Sequence, residues 1–101
     1  MTLECSFHIV LNVIPKGWIV KDWIVYLLKC ADDTLYCGIT NNLSRRIQMH
    51  NAGKGAVYTR GRRPVFLAAK SRNMTRTEAI RLEMVIKKIH KKRKKARLEN
   101  Y

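Results

Sequence analysis

The chain has 101 residues and a mass of 11.8 kDa, with 47% hydrophobic residues, enough for one domain with its own core. It carries 21 Lys+Arg against 7 Asp+Glu, a net charge of +14. That balance points to a polyanionic partner, nucleic acid first and an acidic membrane surface second, over a merely soluble basic protein. Nine Lys/Arg and no carboxylate lie between Asp33 and Glu78. The three cysteines, Cys5, Cys30 and Cys37, form neither a disulfide framework nor a zinc-ligand spacing, so they read as reduced thiols of a cytoplasmic protein.

Residues 1–22 read as an N-terminal extension of uncertain status. "FHIVLNVI" has strand character and ends at the Pro15–Gly17 turn signal. The stretch lacks the basic start of a signal peptide, and no run reaches the ~18 apolar residues of a membrane span. No membrane association is expected.

"WIVYLLKC" predicts a strand through its β-branched and aromatic residues. "ADDT" is a turn and "LYCGIT" the returning strand, so the pair forms an antiparallel hairpin. Gly38 inside the second strand marks a bulge or a close approach of another group. "TNNLSRRIQMHN" predicts a helix capped by Asn41 or Asn42. Leu43, Arg46, Ile47 and His50 fall on one of its faces. "AVYTRGRRPV" reads as a basic loop, "VFLAAK" as a third strand, and "SRNMTRTEAIRLEMVIKKIHKK" as a long helix with a Thr75–Glu78 capping box. Ala79, Leu82, Ile86 and Ile89 form its apolar stripe, with Glu83 on the border. Residues 91–101 read as a basic tail, since runs of like charge are usually frayed in isolation. The expected architecture is α+β, a small, mainly antiparallel three-stranded sheet flanked by helices over residues 23–90.

In this order the elements resemble the GIY-YIG nuclease superfamily, in its small stand-alone bacterial, YhbQ-like form. Its first motif appears as "IVY" (Ile24 to Tyr26) and its second as "YCG" (Tyr36 to Gly38). Arg46 matches the family's helix arginine, Glu83 its metal-binding glutamate, and His50 a histidine found in several members. Ile24 stands where the namesake motif has glycine, and Val25 and Cys37 where it has isoleucine. The resemblance implies an endonuclease that hydrolyses phosphodiester bonds with one divalent ion, Mg²⁺ or Mn²⁺, and acts on DNA of the kind met in repair or recombination. Its implied catalytic residues are Tyr26, Tyr36, Arg46, His50 and Glu83, with Glu83 as the metal ligand.

The chemistry of these side chains agrees. A guanidinium clamps a phosphate bidentately. A carboxylate suits a hard cation. A tyrosine near cations is a better base than a free phenol, with Tyr26 the first choice. Tyr58, Arg60, Arg62, Arg63, Lys87 and Lys88 are the candidate nucleic-acid contacts, through the backbone and by stacking, so shape rather than sequence is the expected selectivity. Each residue also has an ordinary reading. The tyrosines suit strand packing, Arg46 a solvated helix surface, and Glu83 an ion pair with Lys87. The alternative function is a non-catalytic DNA- or RNA-binding module on the same fold. A monomer is expected.

Overall fold

In a computed structural model, residues 20–101 are described; the strand read over "FHIVLNVI", Cys5 and most of the N-terminal extension lie outside them. Three strands form one antiparallel sheet: β1 (Ile24–Lys29), β2 (Leu35–Thr40) and β3 (Phe66–Lys70), in the order β2-β1-β3. Helix α1 (Leu43–Asn51), the single turn α2 (Val57–Arg60), α3 (Arg76–Lys88) and α4 (Lys91–Glu99) complete the described residues. The architecture is α+β, as the sequence predicts, and the sheet is wholly antiparallel.

β1 is central and covered on both faces, which is why "IVYLL" is apolar without alternation. Val25 and Leu27 point to one face. There they join Cys37, Ala69 and Met74 against Ala79, Leu82 and Ile86 of α3. Ile24, Tyr26 and Leu28 point to the other face, against Val65 and Cys30, with Leu43 and Ile47 of α1 packed alongside. The β1–β2 ladder is regular, pairing Tyr26 with Gly38 and Leu28 with Tyr36. The irregularity instead falls between β1 and β3, at Leu27/Leu28.

The helix ends follow their local chemistry. Asn42 caps α1 by accepting from the Arg45 amide at 3.2 Å. Thr75 and Glu78 form the predicted capping box on α3. Asn51, at the end of α1, accepts from the Val65 amide at 2.7 Å and donates to the Val65 carbonyl at 3.1 Å. This pair of hydrogen bonds ties α1 to the start of β3.

Two segments differ from the sequence reading. The stretch read as a loop contains the helical turn α2. The run read as a frayed tail, 91–101, is largely helix, and the long helix read before it breaks at Ile89–His90. His90 caps the new helix by accepting from the Lys92 amide at 3.1 Å. Leu98, only 1% exposed, enters the same core cluster as Leu82 and Ile86. One buried leucine, ~2 kcal/mol of apolar burial, offsets repulsion that solvent already screens.

Candidate active site

Tyr26 and Tyr36 lie on paired strands, one step apart on the diagonal, facing the α1 side of the sheet. Their ring centroids are 6.3 Å apart. His50 reaches them from the last turn of α1, its centroid 6.1 Å from Tyr26 and 5.2 Å from Tyr36. The Tyr26 hydroxyl lies 3.1 Å from His50 Nε2, and both side chains are buried. On the opposite edge of the imidazole, Nδ1 lies 2.8 Å from the Thr59 hydroxyl on α2. Arg46, one turn before His50, places its guanidinium beside both tyrosine hydroxyls. The shared helical face read from the sequence thus turns toward the tyrosines.

Two glycines make room for this arrangement. A Cβ at Gly38 would stand 2.6 Å from the Tyr26 hydroxyl and 3.1 Å from the Tyr36 ring. A Cβ at Gly55 would overlap the His50 ring at Nδ1 and come within 2.9 Å of its Cα. Gly38 therefore marks a close approach rather than a bulge.

Electrostatics correct one expectation. Cationic surroundings were to favour a Tyr26 phenolate, but burial outweighs Arg46 and pushes the phenol up to about 12. Tyr26 is a neutral donor at physiological pH. Burial, and then the Arg46 charge, hold His50 below the ordinary imidazole value, so His50 is neutral as well. Contact with the Tyr26 hydroxyl raises the guanidinium of Arg46 further, so it stays charged.

Glu83 comes from a different helix than Arg46 and His50. It lies on α3, next to Leu82, at the border of the stripe (Ala79, Leu82, Ile86) that packs on the Val25 and Leu27 face. Its Oε2 is 3.4 Å from Lys87 Nζ. Burial and the Glu83 charge together push the Cys37 thiol up to about 11. Cys37 follows Tyr36 on the edge strand β2, so Glu83 lies near the sheet edge that carries Tyr36. Among the described residues, no three His, Cys, Asp or Glu side chains group as a metal cluster. The donor set fits a hard cation held by one carboxylate, with water and phosphate oxygens completing its shell.

The candidate nucleic-acid residues divide into two groups. Tyr58 extends the aromatic cluster, its ring 5.8 Å from Tyr36 and 39% exposed. Arg60 and Lys88 are exposed. Arg62 lies 4.0 Å over the Tyr58 ring, donates through Nε to Asp32 at 2.9 Å and through Nη1 to the Tyr58 carbonyl at 2.7 Å. Arg63 donates to the carbonyls of Arg60 and Asn51. Lys87 pairs with Glu83. Arg62 and Arg63 are thus struts of the loop as much as surface cations.

Sequence reasoning missed Thr59, Gly55 and Arg45. Arg45 lines a polar cleft of about 270 Å³ with Thr40, Asn41, Asn42, Arg46 and Met49. The "NN" cap followed by "RR" was its sequence signal, since a cap fixes which arginines flank the strand end.

The fold and this cluster define a GIY-YIG domain. Residues 22–97 match the family model described as the GIY-YIG catalytic domain, and the chain belongs to that family. The match ends within α4, one residue before Leu98. Among curated relatives, a UPF0213 protein of Nitratidesulfovibrio vulgaris is 51% identical over 74 residues, covering 73% of this chain and 67% of the relative. A UPF0213 protein of Staphylococcus haemolyticus is 45% identical over 75 residues, covering 74% of this chain and 92% of the relative. The solution NMR structure of a UPF0213 protein from Bacillus halodurans is 41% identical, covers 71% of this chain and 77% of that one, and gives a TM-score of 0.44. No helix among the described residues is long and apolar enough to cross a membrane.

Proposed function

We propose that this protein is a metal-dependent endonuclease that hydrolyses phosphodiester bonds in DNA and selects structure rather than sequence, as an enzyme of repair or recombination would. The observation that carries the reading is the buried Tyr26–His50 hydrogen bond beside the Arg46 guanidinium. A plain packing cluster has no need for a neutral imidazole, a phenol and a fixed cation within reach of one another. The family of the domain and the net charge of +14 support the same conclusion.

Arg46 would clamp a phosphate oxygen pair at the mouth of the polar cleft. Tyr26 would accept a proton from the attacking water as it passes its own to His50 Nε2, so that the phenolate never accumulates. Tyr36, less buried, would orient the water or the phosphate. Tyr58, on the exposed side of Tyr36, offers a stacking platform for a base. Mg²⁺ or Mn²⁺ held by Glu83 would supply charge neutralisation at the phosphoryl and leaving oxygens.

The test is cleavage of single-stranded, duplex, flap and branched DNA with each divalent ion. Nicking that Glu83→Gln and Arg46→Ala remove, while DNA binding survives, is the expected result. Full activity in both purified variants would refute the assignment. Tight binding with no cleavage of any substrate would leave a DNA- or RNA-binding module.

A further inference from the structure

His50 is held at both ring nitrogens, and the two partners are not equivalent. The Thr59 hydroxyl lies 2.8 Å from Nδ1 and also 2.9 Å from the Ala56 carbonyl oxygen. A carbonyl only accepts, and two oxygens 2.9 Å apart with no hydrogen between them repel, which favours the single Thr59 hydroxyl proton pointing at Ala56. Toward His50, Thr59 then offers a lone pair, and Nδ1 must carry the hydrogen. In a neutral imidazole that leaves Nε2 without one, aimed at the Tyr26 hydroxyl 3.1 Å away. Donors and acceptors thus run in one direction, from Tyr26 through His50 and Thr59 to a backbone carbonyl.

The backbone fixes the end of this chain. The Thr59 amide also donates to the Ala56 carbonyl, at 3.0 Å, closing the α2 turn. Thr59 is fully buried, so no water competes for its hydroxyl. Gly55 lets the preceding loop lie against the His50 ring.

We infer that Thr59 is a positioning residue that holds His50 in the Nδ1–H tautomer, leaving Nε2 open to take the Tyr26 proton. The catalytic consequence rests on the hydrolytic reading above; the tautomer itself does not. When the proton moves, the Tyr26 O–H bond breaks and an Nε2–H bond forms. The imidazolium still donates from Nδ1 to Thr59, and Tyr26 regains a proton from the attacking water. No bond to Thr59 is made or broken.

The test is the ¹⁵N spectrum of the histidine-labelled full chain at neutral pH, for wild type, Thr59→Ser and Thr59→Val. The wild type and Thr59→Ser should show His50 protonated at Nδ1 and bare at Nε2. Thr59→Val keeps the shape without the lone pair, and should populate the Nε2–H form. In cleavage assays Thr59→Val should lower kcat about 10²-fold with KM unchanged, and Thr59→Ser should stay near wild type. An Nε2–H wild type, or a Thr59→Val with the wild-type tautomer, overturns the inference. Should Thr59→Val fail to fold, Thr59→Ala replaces it and the wild-type spectrum still decides. A wild type that cleaves nothing counts against the hydrolytic reading alone, since the tautomer is read without turnover.

Discussion

Gly38 lies directly opposite Tyr26 in the β1–β2 ladder, and the Tyr26 hydroxyl occupies the space a side chain at 38 would need. The glycine is therefore what lets the phenol lie across its own sheet and meet His50 on the α1 face. Gly38→Ala should displace the Tyr26 ring and lengthen its bond to His50. The expected cost is about 1–3 kcal/mol in denaturant unfolding, the range for overpacking a core. Cleavage should fall more than binding does. An alanine variant with wild-type stability and activity would show that the ring has room to move.

The raised Tyr26 phenol makes an alkaline prediction. The ordinary value is 10.0 and the folded value about 12, so the unfolded chain ionises first. Its contribution to stability is complete below pH 10 and disappears as the pH rises toward 12. Lysines titrate in the same window, so the comparison must be with Tyr26→Phe, whose stability should fall less steeply there. At neutral pH that variant leaves His50 Nε2 unpaired and should be destabilised by about 1–3 kcal/mol.

At mildly acidic pH the relevant group is His50, whose folded value is depressed below 6.5. The unfolded chain takes up a proton where the folded one resists. Stability is therefore complete above about pH 6.5 and falls as the pH drops toward the folded value. Urea midpoints measured between pH 7.5 and 5.5 should decline in the wild type and decline less in His50→Asn.

Leu98 secures α4 to the core. Leu98→Ala should cost about 2–5 kcal/mol in thermal or urea unfolding, as other buried leucines do. Removing residues 91–101 should be at least as damaging. A truncated chain of undiminished stability would return that segment to the status of a tail.

The basic residues should separate by assay. Arg60→Ala and Lys88→Ala should leave stability intact and each lower the salt dependence of DNA binding by roughly one unit of slope. Arg62→Ala and Arg63→Ala remove internal hydrogen bonds and should lower the melting temperature as well. Identical behaviour of all four would mean the loop arginines are equivalent surface charges.

The sheet and helices were legible because the central strand, the hairpin and the capping box each have a local signature. Arg46 and His50 were legible because helical spacing places them on the same face as Leu43 and Ile47. Thr59 was not, since its partner lies nine positions away across an irregular loop, where no periodicity links the two. The sign of the Tyr26 shift was hidden for another reason. Charge is visible in a sequence, but depth of burial depends on what α1 and α2 cover. In 91–101 the charge run masked a single leucine, and that leucine decided the structure.

The bridge from Asp32 through Arg62 to Tyr58 spans thirty positions, from the hairpin turn to the loop beyond α1. It braces an exposed aromatic ring upright in the free protein. The loss of motion that a flexible contact incurs on meeting its ligand is thereby borne during folding. Association at this ring should show a small entropic penalty, and cutting the brace at Asp32 should weaken binding at a residue that touches no ligand.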